Sequence, residues 1–416
     1  MKKVLLIVCF LIASHSLYAE DKWIVQTPPD PDDAYQKVVF IDTLTGFLQG
    51  VFSIYKTTDG GKTWDNIYQT MGSVLLNGLY MFSDGNGFIT GGNKLFLKTT
   101  DFGETWVPLS FPGINISRVY ALNKEQVWIM TYGNELFFTT DGGVIWDSSD
   151  TEFESSIQPS CLYFLNTNKG FLGGYGSSGL FQTDDGGKNW VKKEVPMDTS
   201  LYSIYFLDNE RGWISGADGT VMRTTNSGDN WQKLSFPTGD IIYGVCFLNS
   251  LEGWAAAVHW DIDYMNRYGK IFYTSDGGNN WVLQHEEPAN SGSREIVSVF
   301  FINKNKGWAS GNAGILLSMD RTSSVEESII SEDFTATPTV NLANGTITFV
   351  FSASESGYIS FDLFDYMGKA KISLPPQYYQ SGSNELRFDL SQFSSGLYLY
   401  RFRYGSNVYY GKLILQ

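Results

Sequence analysis

Helical periodicity is nearly missing from this 416-residue chain, and so are the residue types on which most simple catalytic centres draw. There are three histidines and three cysteines in all, too few for a Ser/His/Asp triad to have much choice of base. No His-Glu-x-x-His run and no Cys/His zinc spacing occurs, and no Gly-rich phosphate loop follows a strand and opens a helix. Asp30-Pro31-Asp32-Asp33 and Asp261-Ile262-Asp263 are acidic enough for calcium, but neither has the full ligand loop. They read as solvated acids, so no metal and no cofactor is expected. Basic residues are also scarce: Lys plus Arg number 29 against 44 Asp plus Glu, a formal net charge of −15. That balance excludes a general nucleic-acid binder, which needs a basic footprint to displace counterions, and adhesion to anionic lipid by charge alone.

Long apolar runs are lacking too. The one candidate, Val4 to Ala13, is shorter than the roughly 20 residues that a membrane span needs. It follows the positive Met1-Lys2-Lys3 and precedes a small, polar stretch ending at Ala19, which is the pattern of a secretory signal peptide over residues 1–19. Cys9 falls inside that run, and Leu6-Ile7-Val8 lacks the small residues of a lipid-attachment site. With no later apolar run, no transmembrane segment is expected in the exported chain. Cys161 and Cys246 remain after cleavage. The repeat described next sets them two units apart, so they read as small buried hydrophobes rather than a disulfide.

What the chain has in quantity is aromatic residues, 16%, and 43 glycines, a mixture that suits short strands and tight turns. An internal repeat dominates. Thr57-Thr58-Asp59-Gly60-Gly61-Lys62-Thr63-Trp64 gives the pattern T-x-D-x-G-x-x-W, which returns at Thr99–Trp106, Thr139–Trp146, Thr183–Trp190 and Thr274–Trp281. Thr224–Trp231 has Asn226 in the Asp position, and a decayed seventh copy keeps Ser318 and Asp320. From Asp59 to Asp320 the steps are 42, 40, 44, 41, 50 and 44 residues. A second landmark precedes each copy: an apolar strand, an Asp/Asn turn, then Gly-aromatic, as in Phe206-Leu207-Asp208 with Gly212-Trp213. Only the third, Leu122-Asn123 with Val127-Trp128, lacks its Gly. Each unit parses as four short strands; for the fifth these are 203–207, 212–216, 221–225 and 231–234. Four strands per 40 to 45 residues, seven times, predict a β-propeller. The seventh unit lacks an outermost strand, which Trp23-Ile24-Val25-Gln26 is placed to supply.

These repeated residues resemble the Asp-box, or BNR repeat, of sialidases and related propellers, and the spacing with its Gly-Trp landmark is most similar to photosystem II assembly-factor-like propellers. The resemblance covers about residues 23 to 325. It implies a structural role for Asp59, Asp101, Asp141, Asp185, Asn226, Asp276 and Asp320, whose side chains are suited to bonding turn amides. After Arg321 the period stops, and 326–332 reads as a linker. From 333 to 416 a different alternating β pattern suggests a small β-sandwich. Its Leu363-Phe364-Asp365 with Gly368, Asp389-Leu390-Ser391, Ser395-Gly396-Leu397-Tyr398 and terminal Lys412-Leu413-Ile414 resemble the type A C-terminal sorting domain of the type IX secretion system of Bacteroidetes. That resemblance implies the type IX machinery as a partner and a secreted or surface-attached product; an accessory sandwich is the plainer alternative. The expected fold is therefore all-β, a seven-bladed β-propeller over 20–325 followed by a β-sandwich.

The sixth unit carries a long second-to-third connection, His259 to Gly269, which accounts for the 50-residue step. Its His259, Trp260, Asp261, Asp263, Tyr264 and Arg267, joined by His285 on the same face, make the candidate ligand site, by ring stacking and hydrogen bonding. Packing of the loop on its neighbours is the alternative. A sialidase reading fails on inventory, because the innermost-strand position reads Lys37, Gly78, Arg118, Cys161, Ser203, Gly244 and Ser298. One Arg and one Lys do not make a carboxylate clamp. Asp218, Asp261, Asp263, Glu286 and Glu287 are the acids from which a two-carboxylate glycosidase would have to draw. The expected function is an exported propeller that binds a glycan, peptide or surface partner without catalysis. The alternatives are an extracellular polysaccharide-degrading glycoside hydrolase and a structural scaffold of a surface assembly.

Overall fold

The computed structural model describes residues 23–416 apart from 73, 150–158, 177–178, 197–198, 261–266, 289–292, 321–328, 331–333, 342–345, 366–368, 390–392, 394–395, 406 and 416. The expected signal peptide, Cys9, Asp261, Asp263, Tyr264, Gly368, Leu390, Ser391 and Ser395 lie outside the described residues. Every regular element longer than a turn is a strand, and the strands form nine four-stranded sheets. The chain divides into two compact units, one of residues 22–320 and one containing 321–416.

Seven sheets belong to the first unit. Sheet 1 is Lys37–Phe40, Gly46–Gln49, Ser53–Thr57 and Asp65–Gln69, each strand antiparallel to the one before it. Sheets 2 to 6 repeat that order, their first strands being Leu76–Met81, Ile116–Ala121, Pro159–Phe164, Leu201–Phe206 and Ile241–Phe247. Sheet 7 takes Ile296–Asn303, Lys306–Gly311 and Leu316–Asp320 from the end of the unit and its fourth strand, Ile24–Val25, from the beginning. Ile24 pairs with Ser318 and Val25 with Leu317, and Gln26 Nε2 donates to Ser318 Oγ at 2.8 Å. The hydrogen bonds pass between neighbouring first strands as well. Lys37 Nζ donates to Leu79 O at 2.9 Å, Asn77 Nδ2 to Ile116 O at 2.6 Å, and Arg118 Nε to Ser160 O at 3.0 Å. Ser160 Oγ donates to Leu201 O, Tyr205 OH to Phe247 O at 2.6 Å, and Val38 N to Ser298 Oγ at 3.4 Å, which returns from sheet 1 to sheet 7.

The two repeated landmarks meet between sheets. The Phe at or near the end of a first strand stacks on the landmark ring of the preceding sheet, which follows Gly except in Val127-Trp128: Phe164 on Trp128 at 3.7 Å, Phe247 on Trp213 at 3.7 Å, Phe301 on Trp254 at 3.5 Å, and Phe40 on Trp308 at 3.4 Å. Trp128, Trp213 and Trp308 then donate Nε1–H to Gly186, Gly277 and Gly60 O, carbonyls of the T-x-D-x-G hairpins one sheet on. Each ring thus buries apolar area and satisfies its one polar atom, the combination that makes buried tryptophan stable.

The second unit has two sheets. One orders Ile329–Ile330, Phe334–Asn341, Thr346–Ala353 and Gly382–Asp389; the other orders Ala370–Tyr379, Gly357–Asp365, Gly396–Tyr404 and Asn407–Leu415. Phe334, Phe349 and Phe351 of the first and Phe361, Tyr400 and Phe402 of the second lie in one buried cluster. Pro375 and Pro376 fall on an edge strand, where a missing N–H breaks no ladder bond.

Candidate functional site

The T-x-D-x-G-x-x-W hairpins join the third and fourth strands of sheets 1 to 6, and their hydrogen bonds recur from copy to copy. Thr57 Oγ1 donates to Asp59 Oδ1 at 2.8 Å and accepts from Gly61 N at 3.0 Å. The same pair of bonds is made by Thr99, Thr139, Thr183 and Thr274, and Thr224 makes it with Asn226 and Gly228. The Asp also accepts from residues four further on: Thr63 N at 3.0 Å and Thr63 Oγ1 at 2.6 Å both bond Asp59. Those donors, Thr63 first, hold the Asp59 carboxyl well below the usual carboxylate range. Thr105 in the same way lowers Asp101 to about 2. Each carboxylate is consumed by its own turn. Asp320, at the end of a strand, is exposed.

At the opposite ends of the strands lie the sixth-sheet candidates. His259 ends the long strand Gly253–Trp260, and its Nδ1 lies 2.6 Å from Oδ1 of Asp240, which is 4% exposed. The other oxygen of Asp240 accepts from Lys270 Nζ at 3.0 Å and Thr238 Oγ1 at 2.8 Å. Burial pushes the Asp240 carboxyl up, and the bonds from His259, Lys270 and Thr238 with the Lys270 charge outweigh it, leaving the group below its ordinary value. His285 Nε2 lies 2.8 Å from Glu287 Oε1, and Arg294 Nε donates to Glu287 Oε2 at 2.7 Å. The two histidines share a sheet but serve separate carboxylates. Arg267 Nη1 donates to Glu295 Oε1 at 3.2 Å, while its guanidinium lies 4.0 Å from the Trp260 ring centroid. Trp260 itself is 40% exposed.

Sequence reasoning missed what lies beside this cluster. The first strands of sheets 2 to 7 each carry a register shift, at Asn77, Ser117, Ser160, Tyr202, Tyr243 and Val297. An inserted residue re-aims a side chain, and five of the six, all but Ser117, line one cavity of about 300 Å³ with Lys37, Arg118 and Tyr175. Of the innermost-strand residues named from the repeat, Lys37, Gly78 and Arg118 line it. Tyr175 and Tyr202 meet edge to face at 5.4 Å, as do Tyr202 and Tyr243 at 5.0 Å. Burial, helped by the Glu295 charge, pushes the Tyr243 phenol up to about 12. The signal was one column upstream of the one read, a column of Asn, Ser, Tyr and Val with no shared chemistry to draw attention. The described residues contain no group of three or more His, Cys, Asp or Glu placed to hold a metal ion, and no helix long and apolar enough to cross a membrane. Cys161 and Cys246 are buried and unbridged, and burial pushes their thiols up to about 12 and about 11.

Residues 17–158 and 145–239 match the family model of the photosynthesis system II assembly factor YCF48, and residues 341–416 match that of the secretion system C-terminal sorting domain. A photosystem II assembly lipoprotein Ycf48 of Trichormus variabilis is 27% identical over 178 residues, 42% of this chain and 52% of that protein. The chain thus spans about half the length of the curated relatives it matches. Among solved structures, YCF48 bound to D1 peptide is 20% identical with a TM-score of 0.58, over 73% of this chain and 96% of that one. The GH74 xyloglucanase of Xanthomonas campestris is 11% identical with a TM-score of 0.59, over 76% of this chain and 59% of that one. At these identities the likeness is one of fold, the fold of the Ycf48 propeller.

Proposed function

Because the chain belongs to the photosynthesis system II assembly factor YCF48 family and ends in a secretion system C-terminal sorting domain, we propose that it is an exported seven-bladed β-propeller that holds a ligand without transforming it. The seven sheets, with first strands bonded in turn from sheet 1 to sheet 6 and back from Val38 of sheet 1 to Ser298 of sheet 7, support seven blades. The single aromatic core shared by the last two sheets supports a small β-sandwich. Export by the general route, passage through the type IX machinery and a final place outside the cell, released or attached, follow from the signal peptide and the sorting domain. Asp59, Asp101, Asp141, Asp185, Asn226 and Asp276 act as turn residues, consistent with bonds that leave them within their own hairpins.

The observation that carries ligand binding is the cavity lined by Tyr202 and Tyr243, near the starts of inner strands, and by Tyr175, just past the second strand of sheet 4. A concave site with rigid aromatic walls and a few polar groups is where small ligands and chain ends bind. Trp260 and Arg267 extend the same face, with Asp261, Asp263 and Tyr264 between them in sequence, while His259 and His285 position the sheet through Asp240 and Glu287. A glycan, a peptide or a surface partner suits this lining; the peptide class draws support from the relative bound to D1 peptide. Photosystem assembly itself is not proposed for an exported chain. The hydrolase alternative needs two facing carboxylates. The described residues of the cavity lining include no Asp or Glu, and Asp240 and Glu287 are spent on cations.

The test is a binding panel of polysaccharides and peptides against the full exported chain, run beside Tyr202→Ala with Tyr243→Ala, and His259→Ala with Trp260→Ala. Retention lost in the first pair supports the cavity. Retention lost only in the second moves the site to the sixth-sheet loop, and no retention by the wild type favours a scaffold.

A further inference from the structure

Two cations at the cavity stand without counter-ions in a chain that carries a surplus of acid. Among the described residues neither Lys37 nor Arg118 makes an ion pair, whereas Lys56, Lys169, Arg211, Arg267, Lys270 and Arg294 all do. Lys37 Nζ donates to Leu79 O at 2.9 Å and lies 4.4 Å from the Tyr80 ring centroid, using one of its three N–H bonds. Arg118 donates Nε–H to Ser160 O at 3.0 Å and Nη1–H to Ser117 O at 2.7 Å, and its Nη2 has no described partner. A guanidinium pinned along one side and open along the other is oriented to receive an acceptor. Burial lowers the Lys37 ammonium to about 8, as desolvation of a cation does.

We propose that the ligand of this cavity is a saccharide bearing a carboxylate, a uronate, whose anionic group is met by Lys37 and Arg118 and whose ring stacks on Tyr202. The inference rests on the binding reading above and narrows it. The cavity of about 300 Å³ is at the lower end of ligand pockets and takes one sugar ring rather than a folded peptide segment. Gln49 and Asn77, which also line it, each fix their amide nitrogen on a neighbouring carbonyl, Leu76 O and Ile116 O. An amide whose nitrogen is engaged in this way keeps its oxygen as an acceptor, which a sugar hydroxyl can satisfy and an ionised carboxylate cannot. The inner-strand positions lack the three arginines of a sialidase clamp. A single carboxylate asks for less: one ammonium and one guanidinium lining the same cavity can donate to it. The overall negative charge repels long polyanions, and at physiological salt that repulsion is screened beyond about 8 Å, so short or terminal uronates are favoured.

The experiment titrates the full exported chain by calorimetry with trigalacturonate, with the same trisaccharide carboxyl-reduced to galactose, and with triglutamate. Trigalacturonate is expected to bind, and the reduced sugar to bind at least about tenfold more weakly, the range of a charge-assisted hydrogen bond. Lys37→Met and Arg118→Gln should each remove about that factor for the acidic sugar and leave the reduced one unchanged, while Lys37→Arg retains binding. Thermal melts check that each variant folds, and Lys37→Arg decides the matter if Lys37→Met does not. Equal binding of the acidic and reduced sugars overturns the anionic assignment and leaves the cavity reading standing. Triglutamate binding that needs Lys37 and Arg118, with none of trigalacturonate, overturns the saccharide. Binding of neither sugar overturns the inference, and the broader panel then judges the cavity separately.

Discussion

A buried threonine hydroxyl holds each hairpin of the repeat. Thr224 is 1% exposed, donates to Asn226 Oδ1 and accepts from Gly228 N, so Asn serves there as well as Asp does elsewhere. Thr224→Val keeps the shape and strands the Gly228 N–H, while Asn226 Oδ1 keeps its bond from Asn230 N. It should lower stability by about 1–3 kcal/mol, read as a fall in the thermal midpoint, with ligand retention intact. Lys37 gives a second residue-level prediction. Its folded pKa is lowered to about 8 from a usual 10.5, so between those values the unfolded chain holds more protons than the folded one. Stability therefore gains a contribution that grows as pH rises through that window, and below about 8 the penalty of the buried ammonium is fully present. Denaturant midpoints of Lys37→Met and wild type at pH 7 and pH 9.5 should converge toward high pH, with the variant the more stable at pH 7; parallel profiles contradict this. The Thr and Asp hairpin bonds recur because six copies repeat one chemistry. Lys37 and Arg118 were legible as residues but not as neighbours of one cavity, since they come from sheets 1 and 3 and only the gathering of the first strands puts them in the same lining.

At the scale of the element, the landmark Phe and Gly are complementary halves of one packing site. Gly212 lies opposite Phe206, and a Cβ on it would come within 2.5 Å of the Phe206 ring; Gly170 and Gly253 meet Phe164 and Phe247 in the same way. The third sheet, whose missing Gly stood out in the sequence, reverses the pair: Val127 lies opposite Ala121, large for small and small for large. Gly212→Val should therefore destabilise by about 1–3 kcal/mol through overpacking. Together with Phe206→Ala the loss should be smaller than the two single losses summed, a coupling that a double-mutant cycle reads directly. Additive losses contradict the account. Strand order and the borrowed strand Ile24–Val25 were legible from the repeat, because a unit short of one strand and a stray apolar tetrad at the other end have one economical pairing. Strand ends were less so. The fifth first strand runs Leu201–Phe206 rather than 203–207, because the bulge at Tyr202 lengthens it toward the cavity.

Across the whole molecule, the sequence separates what addresses the chain from what the chain does. The sorting domain is carried by many strand and turn positions over residues 341–416, and a pattern spread so widely survives being read one residue at a time. Its Asp365 closes a turn with Lys369 by two hydrogen bonds, and Asp362 gathers Arg401, Arg403 and Ser373. The proposed ligand face is the reverse case. It is assembled from single residues of several sheets, so the sixth-sheet insertion drew attention by its length while the tyrosine rim did not. The polar side chains described in that insertion proved to be committed: His259 to Asp240, and Arg267 to Glu295.

The central claim is that this propeller retains a ligand at the tyrosine rim and does not cleave it. The most direct measurement incubates the full exported chain, and Tyr202→Ala beside it, with a polysaccharide that the panel shows to be retained. Bound ligand and newly formed reducing ends are then read from the same sample. The account predicts retention by the wild type, at least about tenfold weaker retention by the variant on the scale of a lost stacking anchor, and no new reducing ends from either. Reducing ends that accumulate with time, or retention that ignores Tyr202, would contradict it.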